Sequence, residues 1–404
     1  MRTGSRGKGA ELRLGTVALV VIGAAMGFSA SILSAPFVPE RDDQVLERIP
    51  ARLNGALLEL RLLRWQLERE PANLNLATRL ARRYIEIGRA EFDPRYFGYA
   101  QAALAPWLEM RAPPPDILVL RAILKQQRHD FDGALSDLES LLQQDPRNAQ
   151  AWLSSATILQ VQGENRQALA RCASLASLPG SYFVGTVCLG KSLSLSGRAD
   201  QAYRLLRELR AGEPDVPAPE RLWMLTILAE IAVRQGRPER AERHFLDALS
   251  LGLRDSYLLA AFADFLLDEQ QPERVRELLR EEARVDGLLL RLAQAERQLG
   301  LPIQSRVKTL KGRYAASRRR GDTVHLGEQA RFALHIRDDP RAALELALAN
   351  WNEQREPRDA RIVLEAALAA DDSAAAQPVL RYLERTSLQD VGLAELASRL
   401  REAR

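Results

Sequence analysis

Small residues recur along this chain at two phases of a 34-residue interval. Ala122, Ala156 and Gly190 form one series, and Ala134, Ala168 and Ala202 form the other. Further on, Ala229 and Ala263 keep the interval, as do Ala241 and Val275, and then Ala342 and Ala376. A small side chain at a fixed period marks a place where two helices must approach closely once per unit. Such self-similarity is the signature of a stacked array in which each unit touches its neighbours. No alternating strand-like runs separate the helical segments, so the chain reads as all-α. With 46% hydrophobic residues and charges that nearly cancel, it can bury a core and is not a disordered polymer.

The other positions of the unit can be read in the same frame. In the unit beginning at Ala149, positions 4, 8, 15 and 20 are Trp152, Ala156, Gly163 and Ala168. In the unit at Phe183 they are Thr186, Gly190, Gly197 and Ala202, with Pro214 at position 32. The unit at Pro115 supplies Leu118, Ala122, Ala134, Leu138 and Pro146. The unit at Leu222 supplies Leu225, Ala229, Gly236, Ala241, Phe245 and Ala248. Each glycine falls where a first helix must stop and turn. This pattern resembles the tetratricopeptide repeat. Weaker units begin at Leu74, Ser256, Asp286, Thr323 and Pro357. The unit at Asp286 follows its neighbour by only 30 residues and carries Glu296 where an apolar residue is usual, which argues against a regular helix pair there. The resemblance implies a right-handed α-solenoid of helix pairs. Tetratricopeptide-like repeats would span 74–284 and degenerate helical repeats 285–390, between capping helices at 41–73 and 391–404.

Ahead of the array, Leu14 to Pro39 is a run of 26 residues without a charge. About 20 apolar residues suffice for a helix to span a bilayer. Arg2, Arg6, Lys8 and Arg13 precede the run and Glu40-Arg-Asp-Asp43 follows it. The positive-inside bias therefore places the N-terminus in the cytoplasm, and everything after residue 40 in a bacterial periplasm. Candidate cleavage sites such as Ser29-Ala30-Ser31 are weak, so residues 1–39 read as a signal-anchor more than as a cleaved signal peptide, although both lead to export. Of the net charge of +4, the first forty residues hold +2, and +2 spread over the remainder is too little for a nucleic-acid footprint.

One enzyme motif matches as a string. Gly185-Thr-Val-Cys-Leu-Gly-Lys-Ser192 satisfies G-x-x-x-x-G-K-[ST], but a phosphate loop needs a strand before it and a long helix after it. In the repeat frame the string falls inside a first helix, which argues against nucleotide. The four histidines, His129, His244, His325 and His335, show no metal-ligand spacing, and no cofactor is expected. Cys172 and Cys188 are the only cysteines. They are small apolar fillers or, in an oxidising compartment, a bridge closing a short loop. Arg306, Lys308, Lys311, Arg313, Arg318, Arg319 and Arg320 form a basic run without an acid, suited to a solvated helix face or to an anionic surface.

By the same resemblance, first-helix positions 2, 5, 9, 12 and 13 line a concave groove. Here they are Gln126, Gln127, Gln150, Thr157, Gln160, Lys191, Ser194, Trp223, Thr226, Glu230, Arg234, Tyr257, Asp264 and Asp268. Amides that can bond an extended backbone, mixed charges and two aromatics suit a protein or peptide segment. The reading is a noncatalytic interaction scaffold facing the periplasm, tied to envelope assembly. The alternatives are a maturation helper or regulator for one membrane or metalloprotein client and, remotely, a P-loop NTPase.

Overall fold

The computed structural model describes residues 54–91, 93–213, 215–319 and 325–402. The uncharged run 14–39 lies outside the described residues, and no described helix is long and apolar enough to cross a membrane. From Gly55 onward the chain forms one compact unit.

Helices follow one another without strands among the described residues. They are α1 (Asn54–Arg69), α2 (Leu74–Glu91), α3 (Arg95–Leu108), α4 (Pro115–Gln127), α5 (Phe131–Gln144), α6 (Ala149–Val161) and α7 (Asn165–Ala176). Then come α8 (Tyr182–Ser194), α9 (Ala199–Gly212), α10 (Ala218–Arg234), α11 (Pro238–Leu249), α12 (Ser256–Asp268), α13 (Pro272–Leu279) and α14 (Asp286–Gln298). The last are α15 (Gln304–Arg319), α16 (Leu326–His335), α17 (Pro340–Glu353), α18 (Pro357–Ala369), α19 (Gln377–Thr386) and α20 (Val391–Glu402). The fold is an α-solenoid of helix pairs, in which each even-numbered helix from α2 to α18 opens a pair.

The small residues do what their spacing implies. Ala134, Ala156, Ala168, Ala202, Ala229, Ala241 and Ala263 all have zero exposure, because neighbouring helices press onto the backbone at these points. At Gly190 a Cβ would come within 2.7 Å of the Leu206 side chain of α9. In the pair α16–α17 the register slips: Ala343 is fully buried where Ala342 is only partly so. The left-handed turn residue of that pair, Asp338, also sits one position late, so the turn holds one extra residue.

A second signature lies in the backbone. Every pair from α4–α5 to α18–α19 turns through one left-handed residue: His129, Gly163, Gly197, Gly236, Gln270, Gly300, Asp338 and Asp371. Only four of the eight are glycine, so a search for glycine alone finds half of the turns. Left-handed backbone costs a non-glycine residue about 1–2 kcal/mol. The packing of the two helices it joins sustains that cost at the other four.

The expectation against a pair at Asp286 is corrected. α14 and α15 form one, and Glu296, only 7% exposed, is neutralised by an ion pair with Arg306. The basic run is thereby partly consumed inside the fold. Arg313 bonds the Asp286 carboxylate at 2.6 Å, while Lys308, Lys311, Arg318 and Arg319 are exposed, Arg318 with a 2.8 Å bond to Gln329.

Candidate functional site

The face built by the first helices carries the residues singled out from sequence, and the structure divides them into three groups. Gln160, Ser194, Thr226 and Arg234 are buried between helices. Gln160 donates its Nε2 proton to Ser192 Oγ at 2.7 Å, Thr226 bonds back to the Leu222 carbonyl, and Arg234 donates to Ser194 Oγ at 2.8 Å. Trp223 is half-buried and packs on the core around Ala156, Cys172 and Cys188. Gln126, Gln127 and Thr157 are half-buried and Gln150 is exposed, so these four line open surface.

The third group meets the C-terminal part of the same chain. Lys191 Nζ lies 3.4 Å from Glu356 Oε1. Asp268 accepts two bonds of 2.6 Å from Arg361. Tyr257 donates its hydroxyl proton to Glu230 at 2.6 Å, and the Arg358 guanidinium sits 5.8 Å from the centre of its ring. Asp264 is clamped by Nε and one terminal nitrogen of Arg291, at 2.8 and 2.7 Å, and by Arg331 at 2.7 Å. Burial alone would raise the Asp264 carboxyl, but Arg291 and Arg331 outweigh it and hold the pKa at about 2.

The centre of this contact is the connection between α17 and α18. Gln354 and Glu356 are extended, and the Arg355 N–H donates to the Val161 carbonyl at the end of α6 at 2.7 Å. Gln354 and the His129 ring are hydrogen-bonded at 2.9 Å. Glu356 then caps α18 in a reciprocal box: its backbone N–H donates to Asp359 at 3.0 Å while its side chain accepts from the third helical residue. Burial pushes the Glu356 carboxyl up, and Arg358 and Lys191 more than reverse this, so it stays ionised. Burial pushes the neighbouring Asp359 upward instead. An extended stretch is what the local sequence requires, because the proline at 357 bars its predecessor from helical backbone and suits the first position of a helix.

Beyond α18 the contact continues along the turns of the array. Asn165 Nδ2 bonds the Tyr382 hydroxyl at 3.4 Å, and the Ala199 N–H bonds Gln389 Oε1 at 2.9 Å. A Cβ at Gly163 would lie 2.8 Å from the Tyr382 ring, and one at Gly197 would lie 2.7 Å from the Ser387 carbonyl. These glycines therefore serve both the left-handed turn and a close approach by residues about two hundred positions away. None of His129, Val161, Gly163, Asn165 or Gly197 was singled out as a contact from sequence. The one signal for them was the glycine at position 15, which a local turn explains fully.

The other motifs resolve into packing. The phosphate-loop string lies entirely within α8. Its Gly185 is needed because a Cβ there would fall 2.3 Å from the Ala176 backbone, so the string forms no loop that could cradle a phosphate. Cys172 and Cys188 form a disulfide between α7 and α8, with Cα atoms 5.4 Å apart and both residues buried. His244 bonds the Tyr203 hydroxyl at 2.9 Å, and burial lowers its pKa to about 4. His335 bonds Glu365 at 3.1 Å. Among the described residues no cluster of His, Cys, Asp or Glu is arranged to hold a metal ion.

Residues 126–177 match the tetratricopeptide repeat family. No curated protein matches the chain. Among solved structures, a tetratricopeptide repeat protein from Parabacteroides merdae is 17% identical, with 63% of this chain and 91% of that one covered at a TM-score of 0.41. A thermophilic tetratricopeptide protein of Thermus thermophilus is 21% identical over 47% of this chain and 97% of its own, at a TM-score of 0.38. Human IFIT1 with PPP-AAAA is 13% identical over 87% of each chain, at a TM-score of 0.45. None of these likenesses bears on function.

Proposed function

We propose that this tetratricopeptide-type solenoid is a noncatalytic scaffold that holds a protein segment against its first helices, and that it works on the periplasmic side of a bacterial inner membrane in envelope assembly. The observation that carries the binding part is the array's own handling of polypeptide. An extended stretch, Gln354 to Glu356, is held by a backbone bond at Val161, a side-chain bond at His129 and a charge at Lys191. Backbone bonding with flanking side-chain recognition is how extended segments are generally held.

Two observations support the location. The uncharged run Leu14–Pro39 is long enough to span a bilayer and has the charge asymmetry of an inward N-terminus. The buried Cys172–Cys188 bridge suits an oxidising compartment, where structural disulfides persist. Fractionation of cells expressing the full chain, followed by crosslinking in the intact envelope, tests both parts. A membrane-bound or periplasmic pool with specific envelope proteins attached is the expected result. A cytoplasmic pool with reduced cysteines would overturn the location, and a correctly exported chain without crosslinked partners would overturn the scaffold role.

A further inference from the structure

The stretch between α17 and α18 differs from an ordinary interhelical turn in three ways. It bonds a part of the chain nearly two hundred residues earlier through its backbone, as an incoming peptide would. Its recognition is ordered by charge: Glu356 meets Lys191, and Arg361, five residues on, meets Asp268. It also leaves space beside it. A cleft of about 350 Å³ opens between the α5 and α6–α7 side of the array and the end of α17. Asp132, Glu164 and Glu353 supply carboxylates to its wall, and Arg355 stands among them as the one basic side chain.

We infer that residues 354–361 are an occupant in cis of a polypeptide-binding edge. The partner that replaces them is a protein segment with an extended basic–acidic pair, followed by an arginine five residues after the acidic one. In that register the basic residue enters the acidic cleft, as Arg355 does. The acidic residue meets Lys191, the basic residue's own backbone N–H reaches the Val161 carbonyl, and the distal arginine reaches Asp268. The cleft is the point of entry, because a partner can place its basic residue there before the cis segment leaves. Thereafter the two segments compete for the same bonds, so the resident one sets a threshold on affinity. This inference rests on the scaffold reading and gives that reading a ligand chemistry.

The test is a binding titration of the full chain with a fluorescent peptide carrying the sequence of residues 352–363. The doubly substituted protein Q354A/R361A, in which two anchors of the cis segment are removed, is expected to bind the peptide at least tenfold more tightly than the unsubstituted chain. A peptide bearing E356K should lose that binding, and the Lys191→Glu protein should prefer the E356K peptide to the original. If Q354A/R361A does not fold, the reversal of preference between the unsubstituted and Lys191→Glu proteins decides by itself. Equal binding of both peptides by both proteins would overturn the inference and leave residues 354–361 as fixed tertiary structure. Envelope crosslinks that persist in that case keep the scaffold reading, whereas their loss together with peptide binding removes both.

Discussion

The helix pairs from α4 to α13 and the segment from α14 to α20 are built from the same kind of unit but held by different forces. In the first region an apolar core dominates, and its ion pairs, such as Arg121 with Asp137, join helices close in sequence. A continuous core runs from Val187 in α8 to Leu279 in α13 and carries on into α14 as far as Ala295, and alanines with zero exposure let successive helices close on one another. In the second, the apolar core from Ala330 to Leu400 is joined to the earlier pairs largely by charge. Arg291 links Asp264 to Glu328, Arg361 links Asp268 to Glu365, and Lys191 meets Glu356 across 165 residues. Packing of close neighbours needs only a repeated small residue. A return of the chain on itself needs individual partners at each point, so the second region has lost the period while keeping the helices.

This contrast can be broken or sharpened by substitution. The largest effect is expected in the first region. Ala168→Glu would force an unpaired charge into a contact with no exposure, and a buried unpaired charge is not tolerated without refolding around it. Loss of the cooperative melting transition is the expected result. A normal melt would mean the helix pairs are not packed through position 20. Next comes the second region's anchor. Arg291→Ala would leave Asp264 and Glu328 facing each other without their shared cation, at a cost of about 3–5 kcal/mol in the melting curve. A cost below about 1 kcal/mol would show that charge does not hold this region.

Reduction of the Cys172–Cys188 bridge should lower stability by about 3 kcal/mol, because it closes a short loop of the unfolded chain. Hydrogen exchange should then rise first in α7 and α8. Acid separates the two regions directly. The folded pKa values of Asp264 and Glu365 are about 2, below their ordinary values of 3.8 and 4.5. In Glu365 burial acts upward, and His335 with Arg361 outweighs it. Their contribution is therefore complete above about pH 4.5 and is lost as the pH falls toward 2, at about 2 kcal/mol for Asp264. Exchange in α16 to α18 should accelerate over that window before exchange in α8 to α10, and Asp264→Asn should flatten the decline. Simultaneous acceleration of both regions would contradict the contrast.

The smallest difference tests the joint between the regions. Gly197 and Gly300 have nearly the same left-handed backbone, with φ of 72° and 68°. Alanine at either position carries the same backbone cost of about 1–2 kcal/mol. Only at Gly197 would the new Cβ also strike the Ser387 carbonyl, because nothing lies within 4 Å at Gly300. Gly197→Ala should therefore melt lower than Gly300→Ala and expose residues 382–391 to exchange. Equal melting points would mean the turns of the array do not support the C-terminal region.

Much of the fold was legible because it is repetitive. First helices begin at Leu74, Pro115, Ala149, Ser256, Asp286 and Pro357, where the repeat units read from sequence begin, and at Tyr182, Ala218 and Leu326, within a few residues of such a start. The candidate site was legible only as a set of positions. Sequence placed Lys191, Asp264 and Asp268 on one helical face, but carried no sign that Glu356, Arg291 and Arg361 would meet them.

The division has a physical cause. Residue spacing, helix breakers and small side chains act within one or two units, so the sequence by itself determined an all-α array of helix pairs, the places of closest approach and half of the turns. The return of α18 to α20 onto α6, α8 and α12 depends on small rotations added from pair to pair, and no local pattern records their sum. The tertiary structure alone therefore decided that Gly163 and Gly197 meet Tyr382 and Ser387, that Cys172 faces Cys188, and that residues 355–361 of the same chain meet Val161, Lys191 and Asp268.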